Sequence, residues 1–400
     1  RMMEETWRWF GPDDPTRLAH IRQTGARGIV TSLHHVKYGE VWSVDEIQRR
    51  IAEIGADASL GLEWRVVESL QIPEAVKLGE GDNSQNFDKY RQSLRNLGAC
   101  GIRTVCYNFM TVLDWMRTEH RYALPGGGNA LRFNAHEYAA FDCFILKRPG
   151  AEDEQTPEVM EKARAWYAAA SESDKDRLFG NIMAGLPGAF ERYDLDTLRE
   201  ILARHVHLSA DDLRANLKRF LEEIIPTAEE AGVEMCIHPD DPPRTTFGLP
   251  RIATNAEDIA FILGCVPSRA NGLTLCTGAL GAGVANDLPA IAQEFAGHIR
   301  FAHLRNVKNY PDGSFMEADH LDGDTDMVAV VRILLEEQAR RKAAGEEHWR
   351  IPFRPDHGHE LLDDVGKPTH PGYPAIGRMK GLAEVRGVIR AVSSLNGLPH

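Results

Sequence analysis

The chain has 400 residues, 43% apolar and 26% charged, with 59 acidic against 46 basic side chains and a formal net charge of −13 at pH 7. That balance suits a globular protein with a sizeable core, and an acidic surplus without a basic run argues against a groove that tracks nucleic-acid phosphates. No apolar stretch reaches the ~18 residues of a membrane-spanning helix, so neither nucleic acid nor membrane is expected as a partner.

The chain opens with "RMMEETWRWF", which lacks the apolar core of a signal peptide. Its six cysteines, at 100, 106, 143, 236, 265 and 276, are widely spaced with no CxxC pair. They read as reduced thiols, most of them core filling, and the expected compartment is the cytoplasm.

Eight short runs read as strands buried on both faces, each followed by a polar or Gly/Pro stretch. In chain order they are "TWRWF" (6–10), "GIVTSL" (28–33), "EWRVVES" (63–69), "IRTVCYNF" (102–109), "VEMCIHP" (233–239), "GLTLCTG" (272–278), "IRFAHLR" (299–305) and "WRIPFRPD" (349–356). Helical patterns fall between them at 15–24, 43–55, 84–99, 211–231, 255–264, 286–297 and 325–345. The segment "DDLRANLKRFLEEIIPTAEEAG" (211–232) shows apolar residues at helical spacing, an acidic start and a glycine stop. Eight alternating units predict an α/β fold, a (β/α)8 TIM barrel. The surplus length sits between strands 4 and 5, and residues 110–210 read as a helical insertion over the C-terminal mouth of a single domain spanning 1–400. No repeat or linker-like tract interrupts it.

In such barrels the chemistry lies at the C-terminal strand ends. Four consecutive strands end in metal-capable side chains: His238, Cys276, His303 and Asp356. Each alone reads as a core or loop residue, but four at matching positions on strands about 4.8 Å apart can converge on one ion. Two imidazoles, a thiolate and a carboxylate suit Zn²⁺, Fe²⁺ or Mn²⁺ better than Ca²⁺ or Mg²⁺. Period-two alternation puts Arg305 on the face of His303 and Arg354 on that of Asp356, and Arg8 stands on the first strand. Arginines at a barrel mouth can clamp a substrate carboxylate or pair with internal acids. His34, His35 and Asn108 also stand at strand ends, within reach of a polyol, and Asp240 and Asp241 follow His238 in a proline-stiffened loop.

The motifs "TWRWFGPDDP", "VTSLHHVKYGEVWSV", "VVESLQIPE", "LRNLGACGIRTVCYNFMTVLDW", "LKRPGAE", "NIMAGLPGAFERY", "HPDDPPRTTFGLPRI", "LCTGALG", "AHLR", "RPDHGHELLDD" and "THPGYPAIGR" closely resemble those of the mannonate dehydratase family. The resemblance runs from about residue 4 to about residue 390. It implies a xylose-isomerase-like barrel that converts D-mannonate to 2-dehydro-3-deoxy-D-gluconate and water in hexuronate breakdown, with Mn²⁺ or Fe²⁺, as a dimer or higher homo-oligomer. It also implies that His238, Cys276, His303 and Asp356 hold the metal, and that His357 and Tyr373 transfer protons, with the roles of acid and base open between them. Arg8, His35, Asn108, Arg305 and Arg354 are the residues expected to meet the substrate. A metal-dependent sugar isomerase is the alternative within the same barrel group, although its sites favour carboxylates and the thiol of Cys276 counts against it.

Overall fold

The computed structural model describes residues 3–185 and 194–398. Its strands, in chain order, are β1 Glu4–Arg8, β2 Gly28–Thr31, β3 Glu63–Glu68, β4 Thr104–Tyr107, β5 Glu119–Ala123, β6 Asn129–Phe133, β7 Glu234–Ile237, β8 Asn271–Cys276, β9 Ile299–His303, β10 Val307–Asn309, β11 Phe315–Glu317 and β12 Pro352–Arg354. Eight of them close a parallel barrel in the order β1-β12-β9-β8-β7-β4-β3-β2. These are the eight runs predicted from apolar content, and β2, β4, β8 and β9 are buried at every position, as a two-sided burial requires.

All seven predicted helices are present, among them Val44–Ile54, Ser84–Ala99, Ala210–Glu230 and Met327–Ala343. Ala210–Glu230 starts where Ser209 and Asp212 bond reciprocally to each other's backbone N–H, which satisfies donors the first turn cannot. An eighth barrel helix, Ala375–Leu395, follows β12 and packs on Met327–Ala343. No helix among the described residues is long and apolar enough to cross a membrane.

The barrel interior is layered. Val30, Val66, Cys106, Cys236 and Phe301 form a buried apolar plug, and Thr274 spans it with bonds to Cys106 Sγ (3.3 Å) and the Cys236 carbonyl (3.2 Å). Side chains alternate along a strand, so the residues two positions on face inward one layer higher. Those residues are Ser32, Glu68, Asn108, His238, His303 and, above Thr274, Cys276. The polar floor of the mouth is thus set by strand register: Cys276 stands opposite His303, and His303 opposite Arg354.

Residues 110–210 are not wholly helical. β5 and β6 form a hairpin within them, and this joins β11 and β10 in a four-stranded antiparallel sheet of order β10-β11-β6-β5. "PGGG" at 125–128 is the hairpin's turn, where Gly127 and Gly128 take φ of 92° and 79°, a region that L side chains disfavour. Helices at Ala135–Ala140, Pro157–Ala169, Glu172–Met183 and Leu195–His205 follow. A second core joins Leu113, Met116, Phe133 and Phe141 to Phe247 and Leu249, in the loop after β7, and to Val307 of β10 and Phe315 of β11, in the connection after β9. The segment is therefore anchored on the side where those strands end. Within the "NIMAGLPGAFERY" motif, positions 186–193 lie outside the described residues.

Candidate active site

A cavity of about 580 Å³ opens at the C-terminal ends of the strands. His238 lines its floor, Cys276 and His303 lie buried just beneath, and the three bring one ligand atom each within 4.8 Å of one another. His238 Nδ1 donates to the Pro239 carbonyl at 2.6 Å, so its Nε2 carries a lone pair, and that lone pair faces His303 Nδ1 at 3.1 Å. The other ring nitrogen of His303, Nε2, is buried 3.3 Å from Glu68 Oε1 and closes no aligned hydrogen bond. With the ring proton toward Glu68, two nitrogen lone pairs and the Cys276 sulfur point into one small space. A cation between them would satisfy all three donor atoms at once. Metal–ligand lengths typical of imidazole and thiolate correspond to donor separations of about 3.3–3.8 Å, close to what the two rings show. The donor set fits a borderline divalent transition metal.

Asp356 stands beside this trio. Its Oδ2 is 3.7 Å from both Cys276 Sγ and His303 Nδ1. It also accepts from Arg305 Nε at 2.6 Å, while Oδ1 accepts from Arg354 Nη1 at 2.8 Å. A carboxylate has about four acceptor sites, so two remain for an ion. The backbone of Asp356 is left-handed, φ 65°, which turns the chain after β12 so that the carboxylate returns over the floor. Burial favours its neutral form, yet His357, Arg354, His303 and Arg305 outweigh this and hold it ionised well below the usual carboxylate range.

Arg305 and Arg354 line the cavity, and of the two expectations for them, a clamp on substrate or pairing with internal acids, both show the pairing. Arg305, 1% exposed, donates to Asp356, to Glu317 (2.9 and 3.1 Å) and to Asp241 (2.6 Å). Arg354 is committed to Glu68 (2.9 and 3.1 Å), Asp356 and the Tyr373 hydroxyl (3.4 Å). Both guanidinium groups organise the floor and have little left to offer a ligand. Gly278 makes room for Arg305: a Cβ there would lie 2.4 Å from its side chain. His35 is corrected more sharply. The alternation that puts Ser32 inward breaks in the turn after β2, and His35 lies exposed, hydrogen-bonded to Glu46 at 2.6 Å. His34 lines the cavity in its place.

Arg8 and Asn108 do line the cavity. Arg8 donates to His34 Nε2 (3.1 Å) and the Trp9 carbonyl (3.2 Å), and among the described residues no carboxylate lies within 4.0 Å of it. Burial first and then Arg8 press His34 down to about 2, so its ring stays neutral beside the guanidinium. Arg8 thereby stands in the half-buried part of this cavity without a carboxylate counterion, as Lys37 does at its wall.

His357 and Tyr373 face each other edge to face, ring centres 5.2 Å apart. His357 Nδ1 is held by Glu317 Oε1 at 2.7 Å, which leaves Nε2 toward the cavity. Burial pushes Tyr373 above its ordinary value; Arg354 opposes this, while Asp356 and Glu68 add to it, so the phenol keeps its proton. Trp115, from the inserted segment, lies edge-on to His357 at 5.9 Å.

Sequence reasoning missed three residues here and the partners of a fourth. Glu317, on β11, orients His357 and also accepts from Arg305 and Arg117. Asp241, placed in the loop after His238 as a residue supporting the ligands or the loop itself, has partners that the sequence did not reveal: it is gripped by Arg117 (2.6 and 3.1 Å) and Arg305. Glu68 stands one inward position above Val66, and the alternation used for His303 and Cys276 could have found it. Asp114, at the cavity wall, is raised to about 6 by burial, with Lys77 opposing.

Three comparisons bear on the chain. The profile of the family described as D-mannonate dehydratase (UxuA) matches residues 3–397. A mannonate dehydratase of Chromohalobacter salexigens is 52% identical over 394 residues, 98% of this chain and 100% of that one. One from Saccharophagus degradans is 50% identical over 396 residues, 98% of each. The crystal structure of mannonate dehydratase from Streptococcus suis serotype 2 superposes with a TM-score of 0.77 at 32% identity, covering 100% of this chain and 96% of that one.

Proposed function

The chain belongs to the D-mannonate dehydratase family, and we propose that D-mannonate loses water in the barrel-mouth cavity to give 2-dehydro-3-deoxy-D-gluconate, a step of hexuronate catabolism. The observation that supports this reading is the juxtaposition, at one cavity, of a convergent His/Cys/His donor cluster at and beneath its floor, His357 held by Glu317, and Arg8, which has no carboxylate counterion.

His238 Nε2, Cys276 Sγ and His303 Nδ1, with Asp356 beside them, would hold a divalent metal, Mn²⁺ or Fe²⁺. When bound, it supplies a Lewis acid that stabilises negative charge developing on a substrate oxygen. The remaining work falls to side chains. The α proton of an aldonate is weakly acidic, so a base must stand over C2 while the C3 hydroxyl leaves. Glu317 fixes the proton of His357 on Nδ1, and the free Nε2 takes the C2 proton. Tyr373, held protonated by its burial, gives its phenolic proton to the departing C3 hydroxyl, which leaves as water. The enol that remains tautomerises, C3 gaining a proton as the C2 hydroxyl loses one. Asp114, Trp115 and Ala184 of the inserted segment line the cavity and would limit water around the reacting atoms.

Incubating the protein with Mn²⁺ and D-mannonate should yield a 2-keto acid, scored by carbonyl-specific derivatisation. Cys276→Ser should lose bound metal and turnover together while the fold persists, because a hydroxyl is a far poorer ligand for such an ion than a thiolate. Metal content and rate both unchanged in that variant would remove Cys276 from the metal site.

Arg8 is assigned to the substrate carboxylate. A charge-assisted hydrogen bond to an ionised group is worth about 1.5–3 kcal/mol. Arg8→Gln should therefore raise KM about 10- to 100-fold with a smaller change in kcat, the pattern of binding lost equally from ground and transition states. An unchanged KM would assign the carboxylate elsewhere.

A further inference from the structure

The opposite, N-terminal end of the barrel has a second cavity, of about 350 Å³. Its wall holds six arginines, Arg65, Arg103, Arg269, Arg300, Arg341 and Arg350, against two glutamates, Glu229 and Glu234. Five of the six come from strand starts: Arg65 in β3, Arg103 just before β4, Arg269 before β8, Arg300 in β9 and Arg350 before β12. Barrel closure brings these starts into one ring, in a chain whose overall charge is −13.

A purely structural lock would give each guanidinium a partner; four are paired with acids, and Arg350 is engaged as well, its guanidinium 4.3 Å from the Trp349 ring centre. Arg65 meets Glu4 at 2.6 Å, Arg269 bridges Glu234 and Glu346 at 2.9 Å each, Arg300 meets Glu234 at 3.1 Å, and Arg341 meets Glu337 at 2.9 Å. Arg103 breaks the pattern. Among the described residues no carboxylate lies within 4.0 Å of it, and it stands where this cavity adjoins another of about 390 Å³ that shares Arg65, Arg103 and Arg350. The crowding is energetically visible. Burial and then Arg65 lower the pKa of Arg103, although Glu4, Glu234 and Glu347 oppose this. Burial, opposed by Glu234 and reinforced by Arg341 and Arg269, brings Arg300 down to about 10. A bound anion would relieve both.

We propose that this cavity binds a phosphate dianion, free or as the monoester of a small molecule, with Arg103 as its anchor. The planar fork of a guanidinium matches a phosphate face in a way a carboxylate-paired arginine cannot offer. The site lies across the barrel from the dehydration chemistry and is independent of it.

The test is thermal unfolding of the full-length metal-loaded chain, freed of excess metal, with inorganic phosphate or glycerol 3-phosphate against sodium chloride of matched ionic strength. Either probe should raise the unfolding midpoint by several degrees at saturation, the larger rise naming the preferred form. Arg103→Gln should abolish most of that rise while leaving kcat/KM for dehydration in phosphate-free buffer unchanged. No rise beyond the chloride control overturns the proposal. So does an undiminished rise in Arg103→Gln; its loss in Arg8→Gln would then locate the anion in the catalytic cavity.

Discussion

His357→Asn is expected to lower kcat by about 10²–10⁴, the usual contribution of a positioned general base, with metal content and unfolding midpoint unchanged. Asparagine keeps a donor toward Glu317 but offers no basic nitrogen to the cavity. Tyr373→Phe should cost a comparable factor, because it removes the proton donor and only a 3.4 Å contact with Arg354. The two variants separate the roles through exchange of the substrate's C2 hydrogen with deuterated solvent. Without the base, exchange stops. Without the acid, the proton still comes and goes at C2 although the hydroxyl does not leave. If His357→Asn retains exchange and Tyr373→Phe loses it, the assignments are reversed. Near wild-type kcat in both would place the proton transfers on other groups of the cavity, of which Asp114, raised to about 6, is the first to examine.

The second large effect is structural. Arg305→Leu should destabilise the fold by about 3–5 kcal/mol, the cost of removing one partner from a buried ion pair and leaving the others uncompensated. Arg305 is 1% exposed and donates to three carboxylates at once, those of Asp241, Glu317 and Asp356. Arg117 still holds Asp241 and Glu317, and Arg354 still holds Asp356, so the chain should fold while its floor loosens. Arg305→Lys should rescue little, since one ammonium cannot reproduce a planar fork with three separate acceptors. Denaturant unfolding measures the loss directly, and metal retention should fall with it as Asp356 loses its fixed position. A Lys variant with wild-type stability would show that the charge alone matters and the geometry does not.

The catalytic floor depends on how these charges divide. Asp241, Glu317 and Asp356 are buried and Glu68 is partly so, which alone would favour their neutral forms. In each case neighbouring arginines and imidazole N–H groups outweigh burial: Arg354 and the His303 ring at Glu68, Arg117 and Arg305 at Asp241, Arg305, the His357 ring and Arg117 at Glu317. The carboxylates therefore remain acceptors, which is the state that can orient His357 and receive an ion. Asp114 sits among weaker cationic influences and follows burial instead.

Local sequence determined the eight barrel strands, the seven helices between them and the inward faces of His238, Cys276 and His303. Those features follow from short-range periodicity, in which a strand's alternation and a helix's spacing are written into the residues that form it. The family resemblance extended that reading to His357 and Tyr373. Tertiary structure alone decided which polar groups meet. Glu317 lies in the three-residue strand β11, too short to register as a pattern, and acquires meaning because β11 pairs with β6 and so reaches Arg117, 200 positions away. Whether an arginine is free for substrate is equally non-local: Arg8, Arg305 and Arg354 look alike along the chain, yet two are saturated by buried acids and one is not. The turn after β2 chose His34 over His35 for the same reason, since alternation holds only while the strand continues. Periodicity fixes the face a side chain presents, whereas long-range closure of the barrel and its antiparallel sheet fixes what that face encounters.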